Sequence, residues 1–169
     1  MTNFGNRYEI SSLTNDKVKL INSLYHRKYR RQHNLFVAEG IRICREAVEN
    51  GWEIRYLLYD NLNADVQKIE NLISDVLCLG ADVIGVTSEI LSKISHKANS
   101  QNVLCVICQK WNDLPTIIKE KTFVALETVR DPGNLGTILR TMDGVGATDC
   151  ILLDECTDPF SYESVRASM

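Results

Sequence analysis

Along the first hundred positions the apolar residues fall into two alternating rhythms. Val18, Ile21 and Leu24 stand three apart behind Thr14 and Asn15, which predicts a helix with one buried side and a cap at one of those two polar residues. Leu35-Phe36-Val37-Ala38 is a short unbroken apolar run, as in a buried strand. Glu39-Gly40 then opens a helix that carries Ile41, Cys44 and Val48 inward and stops at Asn50-Gly51. Arg55–Tyr59 predicts another strand, and Val66, Ile69, Leu72, Ile73 and Val76 another helix. A short strand at Val83–Val86 leads to a helix with Ile90, Leu91 and Ile94, capped by Thr87 or Ser88. The polar stretch 95–102 precedes a strand at Val103–Cys108. Such alternation predicts a compact α/β domain over residues 1–110.

Trp111-Asn112-Asp113-Leu114-Pro115 reads as a linker, placed at 111–120, and a second α/β unit is expected over 121–169. Phe123–Glu127 has the apolar density of a strand buried on both faces. Asp131-Pro132-Gly133-Asn134 is turn chemistry, with Asn134 capping the helix after it. Leu135, Ile138, Leu139, Met142 and Val145 then recur at helical spacing, with Gly144 and Gly146 as a stop. Gly136, Arg140 and Gly144 lie four apart on the other side, so a long cation stands between two positions open to close backbone approach. A strand at Cys150–Leu153, a polar turn at Asp154–Tyr162 and the first residues of another helix complete about one and a half βα repeats. A two-stranded parallel sheet cannot cover both its faces. The sequence is therefore expected to be the front part of a longer protein.

Composition narrows the class. Hydrophobic content of 44% and charged content of 24% are those of a soluble globular protein. No apolar run approaches the ~18 residues of a membrane helix, and the N-terminus lacks the layout of a signal peptide, so a cytoplasmic location is expected. Of six cysteines, Cys105 and Cys108 form a CxxC, but three residues apart on a strand they point to opposite faces, and no metal site is expected. A net charge of −3 argues weakly against nucleic acid, yet the positive charge concentrates between His26 and His33. Arg27, Lys28, Arg30 and Arg31 surround Tyr29, a mixture that suits RNA: phosphates attract cations, and an aromatic or guanidinium plane stacks on a base. The competing reading is a solvated helix end whose cations favour the C-terminal dipole. Glu39, at a strand-to-helix junction, either meets a ligand or pairs with a nearby arginine. His96, Lys97 and Gln101 either touch RNA or sit in an ordinary surface loop. Gly133–Thr137 lacks both common phosphate-loop patterns, although a helix N-terminus there could hold an anion.

Taken together these residues resemble the SpoU family of RNA ribose 2′-O-methyltransferases, within the knotted SPOUT superfamily. Ile10-Ser11-Ser12-Leu13, Arg27-Lys28-Tyr29-Arg30-Arg31 and Phe36-Val37-Ala38-Glu39-Gly40 look like its N-terminal substrate-binding domain, which is similar to ribosomal-protein α/β folds that bind RNA. Asp131-Pro132-Gly133-Asn134-Leu135-Gly136-Thr137 with Arg140-Thr141 looks like its first signature motif. Asp158-Pro159-Phe160 and Val165-Arg166-Ala167-Ser168-Met169 look like the lead into the rest of an α/β-knot methyltransferase domain.

The resemblance implies a methyl group passed from S-adenosylmethionine to a ribose 2′-hydroxyl in ribosomal or transfer RNA. It makes Arg140 and Asn134 catalytic-site residues and Arg27, Lys28, Arg30, Arg31 and Glu39 RNA-binding candidates. It also implies a homodimer formed through the methyltransferase domain, with Gly136 and Gly144 at the helix a second subunit approaches. Met142 and Gly144-Val145 depart from the family, which often has Ala and a bulky aromatic there. The family's second and third motifs are not found in the sequence, so no S-adenosylmethionine site is expected within it, and the chain alone is expected to be inactive. The alternative is a non-catalytic RNA-binding adaptor working through Arg27–Arg31.

Overall fold

The strand-forming runs of the first hundred residues pair into one five-stranded sheet. The computed structural model describes residues 4–95, 101–112 and 122–169, and the chain divides into two units, Met1–Cys108 and Gln109–Met169. In the first unit the strands are β1 (Arg7–Ile10), β2 (Leu35–Glu39), β3 (Ile54–Asp60), β4 (Asp82–Val86) and β5 (Val103–Cys108). Their order is β1-β4-β3-β5-β2; β1, β4 and β3 run parallel, and β5 lies antiparallel to β3 and β2.

Helices α1 (Asp16–Ser23) and α5 (Ser88–Ser95) cover one face, burying Val18, Ile21, Ile90, Leu91 and Ile94 against Leu58, Ile84, Leu104 and Val106. Helices α3 (Ile41–Glu49) and α4 (Val66–Cys78) pack together on the opposite face through Cys44, Ala47, Ile69, Leu72, Ile73 and Val76. Each fully buried Ile or Leu contributes about 1.5–3 kcal/mol. Among the described residues, all 12 of the largest fully buried side chains lie in this unit.

The caps of α1 and α5 each fall on one of the two residues expected for them. Asn15 Oδ1 accepts the Lys17 N–H at 2.9 Å, and Thr87 Oγ1 accepts the Ile90 N–H at 3.3 Å. Strand β1 was not expected, because Ile10–Leu13 reads as the approach to a helix. It is a four-residue edge strand held by its pairing with β4, with Arg7 opposite Val83 and Ile10 opposite Val86. Gly5 lets the chain enter that edge: its N–H donates to the Leu77 carbonyl at 2.9 Å, and a Cβ there would lie 1.9 Å from the Ala81 oxygen.

The second unit comprises β6 (Phe123–Glu127), α6 (Pro132–Gly144), β7 (Asp149–Leu153) and α7 (Tyr162–Ala167), with β6 and β7 parallel and Val124 opposite Cys150. Strand β6 is not buried on both faces. Ala125 and Glu127 are exposed and Phe123, Val124 and Leu126 half-buried, because among the described residues no further layer covers a sheet of two strands. Helix α6 also begins earlier than expected: Asp131 is the N-cap and Pro132 holds the first helical position, where its missing N–H costs nothing. Helix α7 is capped by Ser161, whose hydroxyl accepts the Ser164 N–H at 3.2 Å. Most of the expected linker at 111–120 lies outside the described residues. Trp111 itself stacks edge-on against Phe160 of the second unit, with ring centroids 5.1 Å apart.

Candidate functional site

The basic cluster forms a helix of its own, α2 (Arg27–His33), between α1 and β2. It ends at Asn34, whose left-handed backbone (φ 55°) turns the chain directly into β2. Arg27, Lys28, Tyr29 and Arg31 are exposed, and the Lys28 ammonium lies 5.7 Å from the centre of the Tyr29 ring. Several cations elsewhere are compensated: Arg7 by Glu70, Lys17 by Asp82, Lys19 by Asp16, Arg42 by Glu46, Lys68 by Asp65 and Arg130 by Glu155. Arg27, Lys28 and Arg31 have no carboxylate partner among the described residues. An acidic chain thus carries a local surface on which three uncompensated cations stand together, and such a surface attracts a polyanion whatever the sign of the total.

Arg30 differs from its neighbours. It is 4% exposed, and its guanidinium donates to the carbonyls of Leu24 at 2.9 Å and Tyr25 at 2.8 Å. The side chain is inside the domain rather than on the surface predicted from the cluster. The signal was present in the sequence only as one cation in a run, and nothing in a run of cations says which one turns inward.

Glu39, at the end of β2, accepts the Gln101 N–H at 2.7 Å. Gly40 follows with φ 117°, and a Cβ there would lie 2.2 Å from the Gln101 side-chain oxygen. Glu39 and Gly40 therefore anchor the residue that leads into β5. His96 and Lys97 lie outside the described residues.

In the second unit the motif residues separate by role. Asp131, rather than Asn134, caps α6: its Oδ1 accepts the Asn134 N–H at 2.7 Å. The Asn134 side chain is exposed and forms no hydrogen bond among the described residues, and neither does Arg140. Beside Arg140, the Thr137 and Thr141 hydroxyls turn back to the carbonyls of Gly133 and Thr137, both at 2.9 Å, and leave the outer face of α6 to the guanidinium. Gly136 does not wait for a second subunit. A Cβ there would lie 2.5 Å from both Ala167 Cβ and the Ser164 carbonyl oxygen, so α7 of the same chain already fills the position. Gly144 has nothing within 4 Å of an added Cβ.

The loops after β6 and β7 leave the carboxyl ends of parallel strands, where ligands bind in open α/β sheets. They are tied together by the Thr157 N–H to the Val129 carbonyl at 2.8 Å, the Val129 N–H to Cys156 Sγ at 3.4 Å and the Arg130–Glu155 pair at 2.6 Å. Each strand is followed by a non-glycine residue in the left-handed region, Thr128 (φ 56°) and Asp154 (φ 53°). For a β-branched residue that conformation is unusual, and no sequence signal announced Thr128.

A sheet domain of this order, followed in sequence by a parallel strand–helix–strand unit, is the architecture of SPOUT methyltransferases that carry an N-terminal substrate domain. The chain belongs to the SpoU rRNA methylase family: residues 121–169 match that family, and residues 15–105 match the MRM3-like substrate binding domain. It is 28% identical over 160 residues to the 23S rRNA (guanosine(2553)-2′-O)-methyltransferase RlmP of Bacillus subtilis, covering 95% of this chain and 60% of that protein. A crystal structure of an rRNA methyltransferase from Sinorhizobium meliloti superposes with a TM-score of 0.88 at 40% identity, over 98% of this chain and 62% of that one. A second structure of an rRNA methyltransferase from that organism, with AdoMet bound, gives 0.87 at 39% identity, over 96% and 60%. The chain thus spans about three fifths of the length of these relatives.

Proposed function

We propose that the protein carrying this sequence methylates a ribose 2′-hydroxyl of ribosomal RNA, with residues 1–110 holding the RNA and residues 121–169 opening the methyltransferase domain. The observation that carries this reading is Arg140: an exposed arginine without a partner among the described residues, on the helix that bears the Asp131–Thr137 motif. S-adenosylmethionine supplies an electrophilic methyl group. Arg140 is a poor base, since its pKa exceeds ~12, so its work is to orient the hydroxyl and the neighbouring phosphate and to stabilise the oxyanion character that develops. Asn134, exposed on the N-terminal part of the same helix, is the second candidate. Arg27, Lys28 and Arg31 hold phosphates outside the reacting nucleotide.

The described residues do not by themselves fit the cofactor. An adenine needs an enclosed slot, whereas β6 is open to solvent at Ala125 and Glu127, and the first turn of α6 is already capped by Asp131. We assign the cofactor pocket to residues that the relatives carry outside the matched stretch. A homodimer through the methyltransferase part goes with this reading, and Gly144 is the position on α6 left open for it. So does a cytoplasmic location; no helix among the described residues is long and apolar enough to cross a membrane.

Calorimetry with S-adenosylmethionine on residues 1–169 and on a version extended along its reading frame tests the assignment. Binding is expected only to the extended version. In that version Arg140→Ala should lower methyl transfer to ribosomal RNA about 10²–10³-fold, the range for loss of one oxyanion-stabilising donor, and leave RNA affinity within about twofold. If neither version binds the cofactor, the enzyme reading fails and the RNA-binding adaptor takes its place.

A further inference from the structure

Helix α2 has little of its own to keep it helical. At 7 residues it is far shorter than the ~12–15 that an isolated helix needs. His26 gives no side-chain cap, the first turn has no acid, and Arg27 and Lys28 sit where the helix dipole disfavours cations. Every residue from His26 to Asn34 is exposed except Arg30. Arg30 is thus the buried side chain by which α2 meets the rest of the domain.

Arg30 reaches the end of the preceding helix. Leu24 is the C-cap of α1, so its carbonyl has no intrahelical N–H to accept, and Tyr25 is the residue just past the helix. One guanidinium nitrogen donates to both, at 2.9 and 2.8 Å, and places a full positive charge at the negative end of the α1 dipole. The carbonyl of Arg30 in turn accepts the Asn34 N–H that closes α2 into β2. Its side chain and backbone thus join α1, α2 and β2 at a single residue.

We propose that Arg30 is the positioning residue of the RNA-contacting surface: it is withdrawn from the cation cluster to clasp the end of α1, and so presents Arg27, Lys28 and Arg31 to RNA in fixed register. The proposal rests on the reading of α2 as an RNA surface. Three cations on an ordered helix bind phosphates without first paying to order the segment. If only a tenth of the molecules hold α2 in place, the apparent dissociation constant rises about tenfold, although every contact in the complex survives.

The salt dependence of binding separates positioning from contact. Each phosphate neutralised on a single strand contributes about 0.7 to the slope of log K against log salt. The probe is a fluorescein-labelled RNA stem–loop, titrated with the full 169-residue chain at several salt concentrations. Arg31→Ala should lower both affinity and slope. Arg30→Lys should weaken binding five- to tenfold with the slope unchanged: the charge is kept, but a compact, strongly hydrated ammonium is a poor substitute in a buried fork between two carbonyls.

Hydrogen exchange on Arg30→Lys should show faster exchange in α2 with the β3–β4–β5 sheet still protected, which separates a loosened helix from an unfolded domain. Arg30→Met, if it folds, should behave in the same way. Arg30→Lys that binds as wild type overturns the proposal, and so does a slope reduced as far as by Arg31→Ala. If removing Arg27, Lys28 and Arg31 together leaves binding unchanged, the reading of α2 as an RNA surface fails and the proposal falls with it. If that triple variant loses binding while Arg30→Lys does not, only the positioning role fails.

Discussion

The contact between α6 and α7 makes a sharp prediction from two chemically identical substitutions. In Gly136→Ala the new Cβ would lie 2.5 Å from Ala167 Cβ, 2.5 Å from the Ser164 carbonyl oxygen and 3.0 Å from the Ala167 carbonyl carbon. Carbon contacts settle at about 3.5–4.0 Å, so the helices must separate by about an ångström. None of the struck atoms can rotate away, since all belong to the backbone or to a Cβ. Alanine gains about 0.8–1 kcal/mol over glycine in helix propensity, and overpacking a rigid contact costs about 1–3 kcal/mol. Against backbone the upper end applies, leaving a net loss of about 2 kcal/mol.

Gly144→Ala meets nothing within 4 Å and needs no left-handed backbone, so it keeps the propensity gain. The two variants should thus differ by about 3 kcal/mol, with opposite signs relative to wild type. Urea unfolding of the second unit, read from Trp111 fluorescence in a Trp52→Phe background, measures this. Hydrogen exchange of the α7 amides gives an independent value, since 2 kcal/mol is about a 30-fold change in opening. Ala167→Gly removes one of the three obstacles and should recover part of the loss in Gly136→Ala. Equal or greater stability in Gly136→Ala would refute the packing argument.

Two more outcomes depend on single groups. Asp131→Ala removes the cap of α6 and should cost the second unit about 1 kcal/mol, with Asp131→Asn close to wild type; a urea midpoint unmoved by the alanine would discard the cap. In the first unit, burial opposes the charges on Asp60 and Asp82. The Ser88 hydroxyl and the Asn63 and Leu62 groups on the one, and the Asn6 N–H and Lys17 on the other, outweigh it and hold both carboxyls below their ordinary 3.8. A carboxyl depressed in the folded chain contributes stability that is complete above its unfolded pKa and is lost as pH falls through its folded one. The unfolding free energy of the first unit should therefore be level from pH 7 to about 5 and fall below about 4. Asp60→Asn and Asp82→Asn should each lower the plateau and flatten the acid limb, and an acid limb unchanged in both would reject the assignment.

Periodicity and turn chemistry determined most of the secondary structure, because those signals are local. Val18, Ile21 and Leu24 could bury together only on a helix, and Val103–Cys108 only as a strand between two helical layers. The Asp131–Thr137 motif likewise marked the helix on which Arg140 sits, although the cap is Asp131 and not Asn134. Three features were decided by residues distant in sequence. Strand β1 exists because β4 offers its edge to Arg7–Ile10, which four residues cannot signal alone. Gly136 is closed by α7, some thirty residues later, so a glycine that reads as an opening toward a partner is a contact within the chain. In the basic cluster the cations look alike as letters. Burial distinguishes them, because the carbonyls left free at the end of α1 lie within reach of Arg30 and turn it inward, and its neighbours stay in water. Composition and spacing thus determine where charge gathers along this chain, and tertiary packing decides which of those charges remain available to bind.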